Sequence, residues 1–126
     1  MYFTDRMKPL YRKIMSNFIQ SPEFERELKK LSKKYPSLES DIEDIKPVLL
    51  SQPCGIGKNF TIIYSSEKVK IVKVRIHCES LRKRTIRLIY SYREGQMKFI
   101  FIELYFKGDK EKEDRERIIK YLKNYE

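Results

Sequence analysis

Apolar residues recur at helical spacing in two consecutive stretches in the first half of the chain. The two stripes consist of Phe24, Leu28, Leu31 and Tyr35, and of Leu38, Ile42, Ile45 and Leu49. Ser21 and Pro22 are typical of a helix start, and Pro36 separates the stripes because the residue before a proline is disfavoured in a helix. The pattern therefore predicts an antiparallel helical hairpin, preceded by a short strand over residues 17–20.

Alternating residues in the second half of the chain predict strands. The predicted runs cover 60–64 with 69–78, 86–93 and 97–106. A turn at Glu94-Gly95 joins the last two runs, and a final helical pattern extends from about Lys112 to Asn124. The predicted fold class is α+β, with the N-terminal helical hairpin and the C-terminal helix packed on one face of a small antiparallel sheet.

Strand side chains alternate between the two faces of a sheet, so charged positions indicate which face the helices leave open. One parity of the three runs carries Lys73, Arg75, His77, Arg87, Glu103, Tyr105 and Lys107. The opposite parity of the last run, which we expect the helices to cover, consists of Ile100, Ile102, Leu104 and Phe106. Burying unpaired cations costs several kcal/mol each. We therefore expect the charged parity to form an open, concave, basic surface.

Length and charge narrow the kind of partner. The chain has 126 residues, the size of one domain, and 28 Lys and Arg against 18 Asp and Glu give a net charge of +10. Such an excess predicts a large anionic partner, either nucleic acid or an acidic protein. Residues 1–16 are expected to be an extension, either a short amphipathic helix or a frayed segment, ahead of a single domain over 17–126. The apolar stripe of that extension is Phe3, Met7, Leu10 and Ile14.

Cysteine and histidine usage excludes several classes of site. Cys54 and Cys78 are far apart in sequence and His77 is the only histidine, so the sequence predicts no disulfide framework, no metal and no cofactor. Charged residues interrupt the apolar positions of the N-terminus, and no later segment has the roughly twenty apolar residues of a membrane span. We therefore expect a cytoplasmic protein without membrane association.

The predicted basic face suits phosphodiester chemistry on RNA. The ribose 2′-OH is an internal nucleophile, so cleavage needs a base, an acid and cations that stabilise the phosphorane. His77, Glu103 and Tyr105 are candidate proton carriers beside the cations, and the loop residues Arg82, Lys83 and Arg84 are expected to contact phosphates. The residues alone also allow anion binding without catalysis, or a solvated surface whose cations pair with neighbouring acids.

Four segments in order carry a resemblance to a known family. They are Ser21-Pro22-Glu23-Phe24-Glu25-Arg26-Glu27-Leu28-Lys29-Lys30-Leu31, Lys73-Val74-Arg75-Ile76, Ile86-Arg87-Leu88-Ile89-Tyr90 and Ile102-Glu103-Leu104-Tyr105-Phe106-Lys107-Gly108-Asp109-Lys110. With these segments, residues 17–126 resemble the RelE/ParE superfamily of bacterial type II toxins. The resemblance to the RelE branch implies a ribosome-dependent mRNA endonuclease held inactive by a cognate antitoxin, with operator DNA contacted only through the antitoxin complex.

The resemblance also assigns roles to individual residues. Lys73 and Arg75 match the paired basic positions on the family's active-site strand. Arg87 matches the arginine that binds and stabilises the reacting phosphate, and Lys107 or Lys110 matches the basic position just past the last strand. The candidate catalytic residues are Lys73, Arg75, Arg87, Glu103 and Tyr105. The candidate RNA-binding residues are His77, Arg82, Lys83, Arg84, Lys107 and Lys110.

Two departures from the family pattern leave other functions open. Arg84-Thr85-Ile86 stands where many relatives have Gly-Gly-Tyr, and the region after Lys110 lacks a tyrosine that some relatives use, a role that Tyr105 could take. One alternative is a non-nucleolytic ParE-like toxin that acts on DNA gyrase. The other is a nuclease-inactive binding subunit of an antitoxin and DNA-repressor complex.

Overall fold

The computed structural model describes residues 17–81 and 84–125, which form an α+β domain as predicted. In chain order its strands and helices are β1 (Phe18–Gln20), α1 (Pro22–Lys34), α2 (Leu38–Ser51), β2 (Phe60–Ser65), β3 (Val69–His77), β4 (Thr85–Arg93), β5 (Lys98–Phe106) and α3 (Arg115–Tyr125). The predicted extension over 1–16 and the loop residues Arg82 and Lys83 lie outside the described residues.

The helical hairpin forms where the sequence signals place it. The Ser21 side chain accepts a hydrogen bond from the Phe24 N–H at 3.1 Å, and Pro22 occupies the first helical position. At the other end of α1, the Tyr35 N–H donates to the Leu31 carbonyl at 2.8 Å, and the chain turns at Pro36 into α2. The predicted hairpin is therefore confirmed.

The five strands form one sheet in the order β1-β5-β4-β3-β2. β2 to β5 pair antiparallel, as predicted, whereas β1 pairs parallel with β5, with Phe18 opposite Phe99. The sheet is therefore mixed rather than purely antiparallel. The hairpin of α1 and α2 connects β1, at one edge of the sheet, to β2 at the opposite edge.

The helices pack on both faces of the sheet, which corrects the prediction of a single covered face. The hairpin covers one face, called here the hairpin face, where Phe24, Leu38 and Ile42 are buried together with Phe101 and Leu104. α3 packs on the opposite face, called here the α3 face. The apolar residues buried there are Val69, Ile71, Ile89, Ile100, Ile102, Tyr105, Ile118 and Tyr121.

A β-bulge in β5 explains why strict alternation misplaced α3. Ile89 pairs with Glu103 and Tyr90 pairs with Phe101, so Ile102 is one extra residue in β5. The extra residue moves Ile102 to the α3 face and leaves Leu104 on the hairpin face. The prediction that Ile100, Ile102, Leu104 and Phe106 share one face is therefore wrong, and the apolar side chains that change face provide a seat for α3.

An arginine–carboxylate pair joins α1 to α3 around the edge of the sheet. β1 pairs with β5 only as far as Phe101, which leaves the next backbone groups of β5 without a strand partner. Glu27 accepts from the Leu104 N–H at 3.1 Å, while Arg117 donates to the Ile102 carbonyl at 3.0 Å. Two further bonds of 2.9 and 3.0 Å join the Arg117 guanidinium to both Glu27 oxygens. This edge pair holds α3 against β5.

Candidate anion-binding site

Two arginines stand directly opposite one another on adjacent strands of the α3 face. Arg75 of β3 pairs with Arg87 of β4, and Arg87 pairs with Tyr105 of β5, so the three residues form one row across the sheet. Burial and the neighbouring Arg75 charge lower the pKa of Arg87, and Tyr105 opposes this shift only in part. Like charges directly opposite in a sheet destabilise it, so this row is arranged to gain stability from a bound anion.

Neither arginine of this row is neutralised by a carboxylate. Within residues 17–81 and 84–125, no Asp or Glu oxygen lies within 4.0 Å of the Arg75 or Arg87 guanidinium. Among the described residues of this face, Lys73, Lys110 and Arg117 are each paired with a carboxylate, whereas Arg75 and Arg87 are not. Two uncompensated guanidinium groups on one sheet face are suited to holding a phosphate.

One side of the Arg87 guanidinium is fixed by Thr85 on the same strand. Its Nη1 atom donates to the Thr85 hydroxyl at 2.8 Å and to the Thr85 carbonyl at 3.1 Å. Thr85 lies two residues before Arg87, so both side chains point to the same face. The hydroxyl thus orients the guanidinium while its other N–H groups remain available to a ligand.

An open groove extends the arginine row toward the end of β5. Its lining residues are Arg84, Thr85, Arg87, Phe106, Lys107 and Gly108. The Arg84 guanidinium lies over the Phe106 ring at 5.9 Å, and Lys107 is exposed. Three cationic side chains and one aromatic ring therefore line the groove, a combination that suits a phosphate next to a base or sugar.

Lys73 is partly covered by the segment that leads into α3. Its Nζ lies 3.2 Å from Glu113 Oε2, and 30% of its side chain is exposed. Burial raises the pKa of Glu113, but a backbone hydrogen bond together with Lys73 and Arg115 outweighs burial and lowers it overall. The expectation that the whole charged parity is open is therefore wrong: the Lys73 end is covered, while the end with Arg75 and Arg87 is not.

Glu103 is fully buried and both of its oxygens are occupied. Oε1 accepts from the Asp114 N–H at 2.8 Å, and Oε2 accepts from the Lys110 ammonium. In this arrangement the carboxylate anchors the chain between β5 and α3. Taking up a proton from a substrate would require these contacts to open, and Lys110 is likewise engaged in an ion pair.

Tyr105 lies at the end of the arginine row with only 5% of its surface exposed. Burial, with Glu113 and Glu103 nearby, raises the pKa of its phenol to about 12. The hydroxyl is therefore neutral near pH 7 and can donate a hydrogen bond or a proton. The Lys110 ammonium lies 5.4 Å from the Tyr105 ring centre and closes this side of the site.

His77 lies at the rim, two residues beyond Arg75 on the same face of β3. It is exposed and pairs in register with Thr85. Of the predicted site residues, the structure brings Arg75, Arg87 and Tyr105 into one row, with His77, Arg84 and Lys107 around it. Lys73, Glu103 and Lys110 are instead held by contacts to or before α3, and Arg82 and Lys83 lie outside the described residues.

Sequence reasoning missed two residues of the site. Thr85 could have been found, because a hydroxyl two residues before Arg87 lies on the same strand face. Glu113 gave no such signal, since its contact with Lys73 depends on the path of the chain after β5. The described parts of the chain contain no group of three or more His, Cys, Asp or Glu side chains that could hold a metal ion.

No known protein family model matches this sequence, and no curated protein is significantly similar to it. The resemblance to the RelE/ParE superfamily therefore rests on the four sequence segments alone. Among the described helices, none is long and apolar enough to cross a membrane.

Proposed function

We propose that the protein is an mRNA endonuclease of the RelE type, acting as the toxin of a type II toxin-antitoxin system. The observation that supports this most is the row of Arg75 and Arg87, which lie opposite each other and have no carboxylate partner among the described residues. A binding site for an anionic ligand explains why two like charges are retained side by side in a sheet. The groove from Arg87 to Lys107 offers further cations for the phosphates next to the one held by the row.

The proposed reaction is attack of a ribose 2′-oxygen on the adjacent phosphorus. The 2′-OH proton passes to a base, the bond from phosphorus to the 5′-oxygen breaks, and that oxygen takes a proton, leaving a 2′,3′-cyclic phosphate and a 5′-hydroxyl. Arg75 and Arg87 stabilise the charge that develops on the phosphorane. Tyr105 can supply a proton or hydrogen bond, and His77 is the exposed candidate for the base.

The proposal includes partners and a location. The substrate is mRNA in the ribosomal A site of the cytoplasm, and a cognate antitoxin holds the protein inactive and carries it to operator DNA. The net charge of +10 supports a polyanionic target such as the ribosome. Cleavage is expected to persist in EDTA with ribosomes kept intact, because the proposed steps use only side chains of this chain.

One observation favours a second candidate, a protein that binds RNA without cutting it. Both oxygens of Glu103 are occupied, and Tyr105 is buried with a raised pKa. Both therefore serve the packing of the α3 face in this structure, which leaves proton transfer to the exposed His77. An anion-binding site without a working base would retain affinity and lose turnover.

The decisive experiment maps mRNA ends after incubation of translating ribosomes with purified protein. We expect cuts inside translated codons, and a rate roughly 10²- to 10³-fold lower for Arg87→Ala, as for other preorganised charge-stabilising groups. Arg87→Lys restores part of the rate because an ammonium cannot bind two phosphate oxygens in the same way. Lys98→Ala, which removes a cation at the far end of the sheet, is the matched control.

Each outcome separates the two candidates. Codon-internal cuts that depend on Arg87 establish the nuclease. RNA binding that depends on Arg87 without any cuts establishes the binding protein. A folded Arg87→Ala variant that cuts at the normal rate contradicts the site assignment, and a target that is a protein such as DNA gyrase would leave both RNA assays negative.

A further inference from the structure

A second basic surface runs along the solvent side of α1. Its exposed cations are Arg26, Lys29, Lys30, Lys33 and Lys34. They follow the spacing of three and four residues that places side chains on one side of a helix, over about 12 Å of helix axis. Only Arg26 has a carboxylate neighbour, Glu23 at 3.9 Å; in the described structure no acid lies within 4.0 Å of the four lysines.

We call the basic surface of α1, with Arg26, Lys29, Lys30, Lys33 and Lys34, the lysine stripe. The two helices of the hairpin differ in surface charge, and the positive charge belongs to α1. The exposed side of α2, the neighbouring helix, carries the acids Glu39, Glu43 and Asp44. Lysines in the last turn of a helix are favoured by the helix dipole, which accounts for Lys33 and Lys34. The dipole effect is confined to the last turn, so it does not account for Lys29 and Lys30.

A series of cation–ring and ring–ring contacts links the end of the lysine stripe to the groove beside the arginine row. The Lys34 ammonium lies 5.6 Å from the Tyr35 ring centre, and the Tyr35 ring meets the Phe106 ring edge-on at 6.0 Å. The Arg84 guanidinium in turn lies over the Phe106 ring at 5.9 Å. These contacts place the Lys34 end of α1 near the groove at the end of β5, which Arg84, Phe106 and Arg87 line.

We infer that the lysine stripe of α1 is a binding track for the phosphate backbone of RNA outside the cleaved bond. This inference rests on the proposed function, since the track leads to the same groove. Lysine is a flexible point charge, so the track holds a backbone without reading its sequence. Its role is to add affinity for a long RNA, such as the RNA of a ribosome, whereas the arginine row engages a single phosphodiester.

Replacing three lysines of the stripe by glutamine, and measuring RNA binding at equilibrium, tests whether the stripe is such a track. The variant is K29Q/K30Q/K33Q, and the matched control is K58Q/K68Q/K123Q, which removes the same charge from exposed lysines away from α1. Both are measured with a long single-stranded RNA and with a dinucleotide that contains one phosphodiester. Circular dichroism establishes that α1 is intact in the variant.

We expect the track variant to bind the long RNA roughly tenfold more weakly at moderate salt. The slope of log K against log salt should fall by about 2, since each phosphate contact on a single strand contributes about 0.7. Binding of the dinucleotide should not change, and the control should bind both ligands like the original protein. Equal behaviour of the track variant and the control on the long RNA overturns the inference.

Two further results separate this inference from the proposed function. If the original protein binds long RNA through the three lysines but never cuts RNA, the track stands and the nuclease proposal fails. If Arg87→Ala abolishes cleavage while the track variant binds RNA normally, the nuclease proposal stands and the track is overturned. Loss of binding to polyglutamate alone in the track variant also overturns the inference, in favour of an acidic protein partner.

Discussion

The two faces of the sheet are stabilised in different ways. On the hairpin face, aromatic rings pack on each other, with centre-to-centre distances of 4.7 Å for Phe18 and Phe99 and 5.3 Å for Phe24 and Phe101. On the α3 face, a smaller apolar patch supports one helix, and ion pairs of Glu103 and Glu113 hold the segment before it. The difference indicates that one face carries most of the stability, which allows the other to retain charges that cost stability.

The two faces also differ in the partners of their polar groups. The buried hydroxyl of Tyr90 on the hairpin face donates to the Pro53 carbonyl at 2.6 Å. On the α3 face, Lys73, Lys110 and Arg117 each pair with a carboxylate, whereas among the described residues Arg75 and Arg87 have no such partner. Two like charges directly opposite each other cost stability in a sheet, so this row is suited to binding an anion.

The largest expected effect comes from a cavity on the hairpin face. Phe101→Ala removes a fully buried ring that contacts Phe18, Phe24 and Tyr90, and should lower the free energy of unfolding by about 3–5 kcal/mol. Ile118→Ala, on the partly exposed helix of the α3 face, should cost clearly less. Denaturant unfolding measures both, and equal losses would show that the two faces contribute alike.

The contacts of Glu103 that anchor α3 should contribute less to stability than the buried ring, and they should stabilise only α3 and the segment before it. Glu103→Gln keeps the shape of the side chain but removes the charge that binds Lys110 and the Asp114 N–H, at a cost of about 2–3 kcal/mol. Hydrogen exchange should accelerate in α3 and remain slow in α1. Glu116→Gln, an exposed acid of the same helix, is the control, and acceleration spread evenly over the whole chain would refute a local anchor.

A smaller effect is expected from the residue that orients Arg87. Thr85→Val removes the hydroxyl bonded to the guanidinium and should slow RNA cleavage about tenfold, equivalent to about 1.4 kcal/mol. Thr85→Ser retains the hydroxyl and should restore the rate, and stability should hardly change in either variant. An equal loss of rate in both variants would mean that Thr85 acts through packing of the strand rather than through its hydroxyl.

The buried tyrosines of the two faces should give an effect that is absent near pH 7 and is seen only at alkaline pH. Burial raises the pKa of Tyr90 on the hairpin face, and it raises the pKa of Tyr105 on the α3 face to about 12. The unfolded chain releases these protons first, near pH 10, so the folded state binds more protons and loses stability as pH rises from about 10 to 12, at about 1.4 kcal/mol per pH unit and proton.

Substitution by phenylalanine tests the origin of this pH dependence. Tyr105→Phe and Tyr90→Phe should each make the alkaline decline of the free energy of unfolding shallower. Tyr64→Phe, on the edge strand β2, is a control, since its side chain is only half-buried. An alkaline decline of the original steepness in both single variants would mean that other groups cause it.

The sequence predicted those parts of the fold that local signals determine. Ser21, Pro22 and Pro36 mark the hairpin, and alternation places Arg75 and Arg87 on the correct face. Alternation failed in β5 because the bulge at Ile102 inserts one residue, which no local signal reveals. The bulge also decides which apolar residues of β5 face α3, so strict alternation could not predict the face that α3 covers.

The candidate site was predictable to a similar degree. The cations of the strands were found because their types and spacing are visible in the sequence. The occupation of Glu103 by Lys110 and Asp114 was not, since it depends on how the chain turns back after β5. The parallel pairing of β1 with β5 likewise depends on contacts between the two ends of the chain.

The pair of Glu27 and Arg117 affects the tendency of the protein to associate with copies of itself through the edge of the sheet. Beyond β1, this pair supplies an acceptor for the Leu104 N–H and a donor for the Ile102 carbonyl, two backbone groups that an added strand could otherwise bind. An uncovered strand edge is a template for pairing with another chain. The two side chains therefore cover part of the β5 edge that β1 leaves exposed and disfavour association between molecules through it.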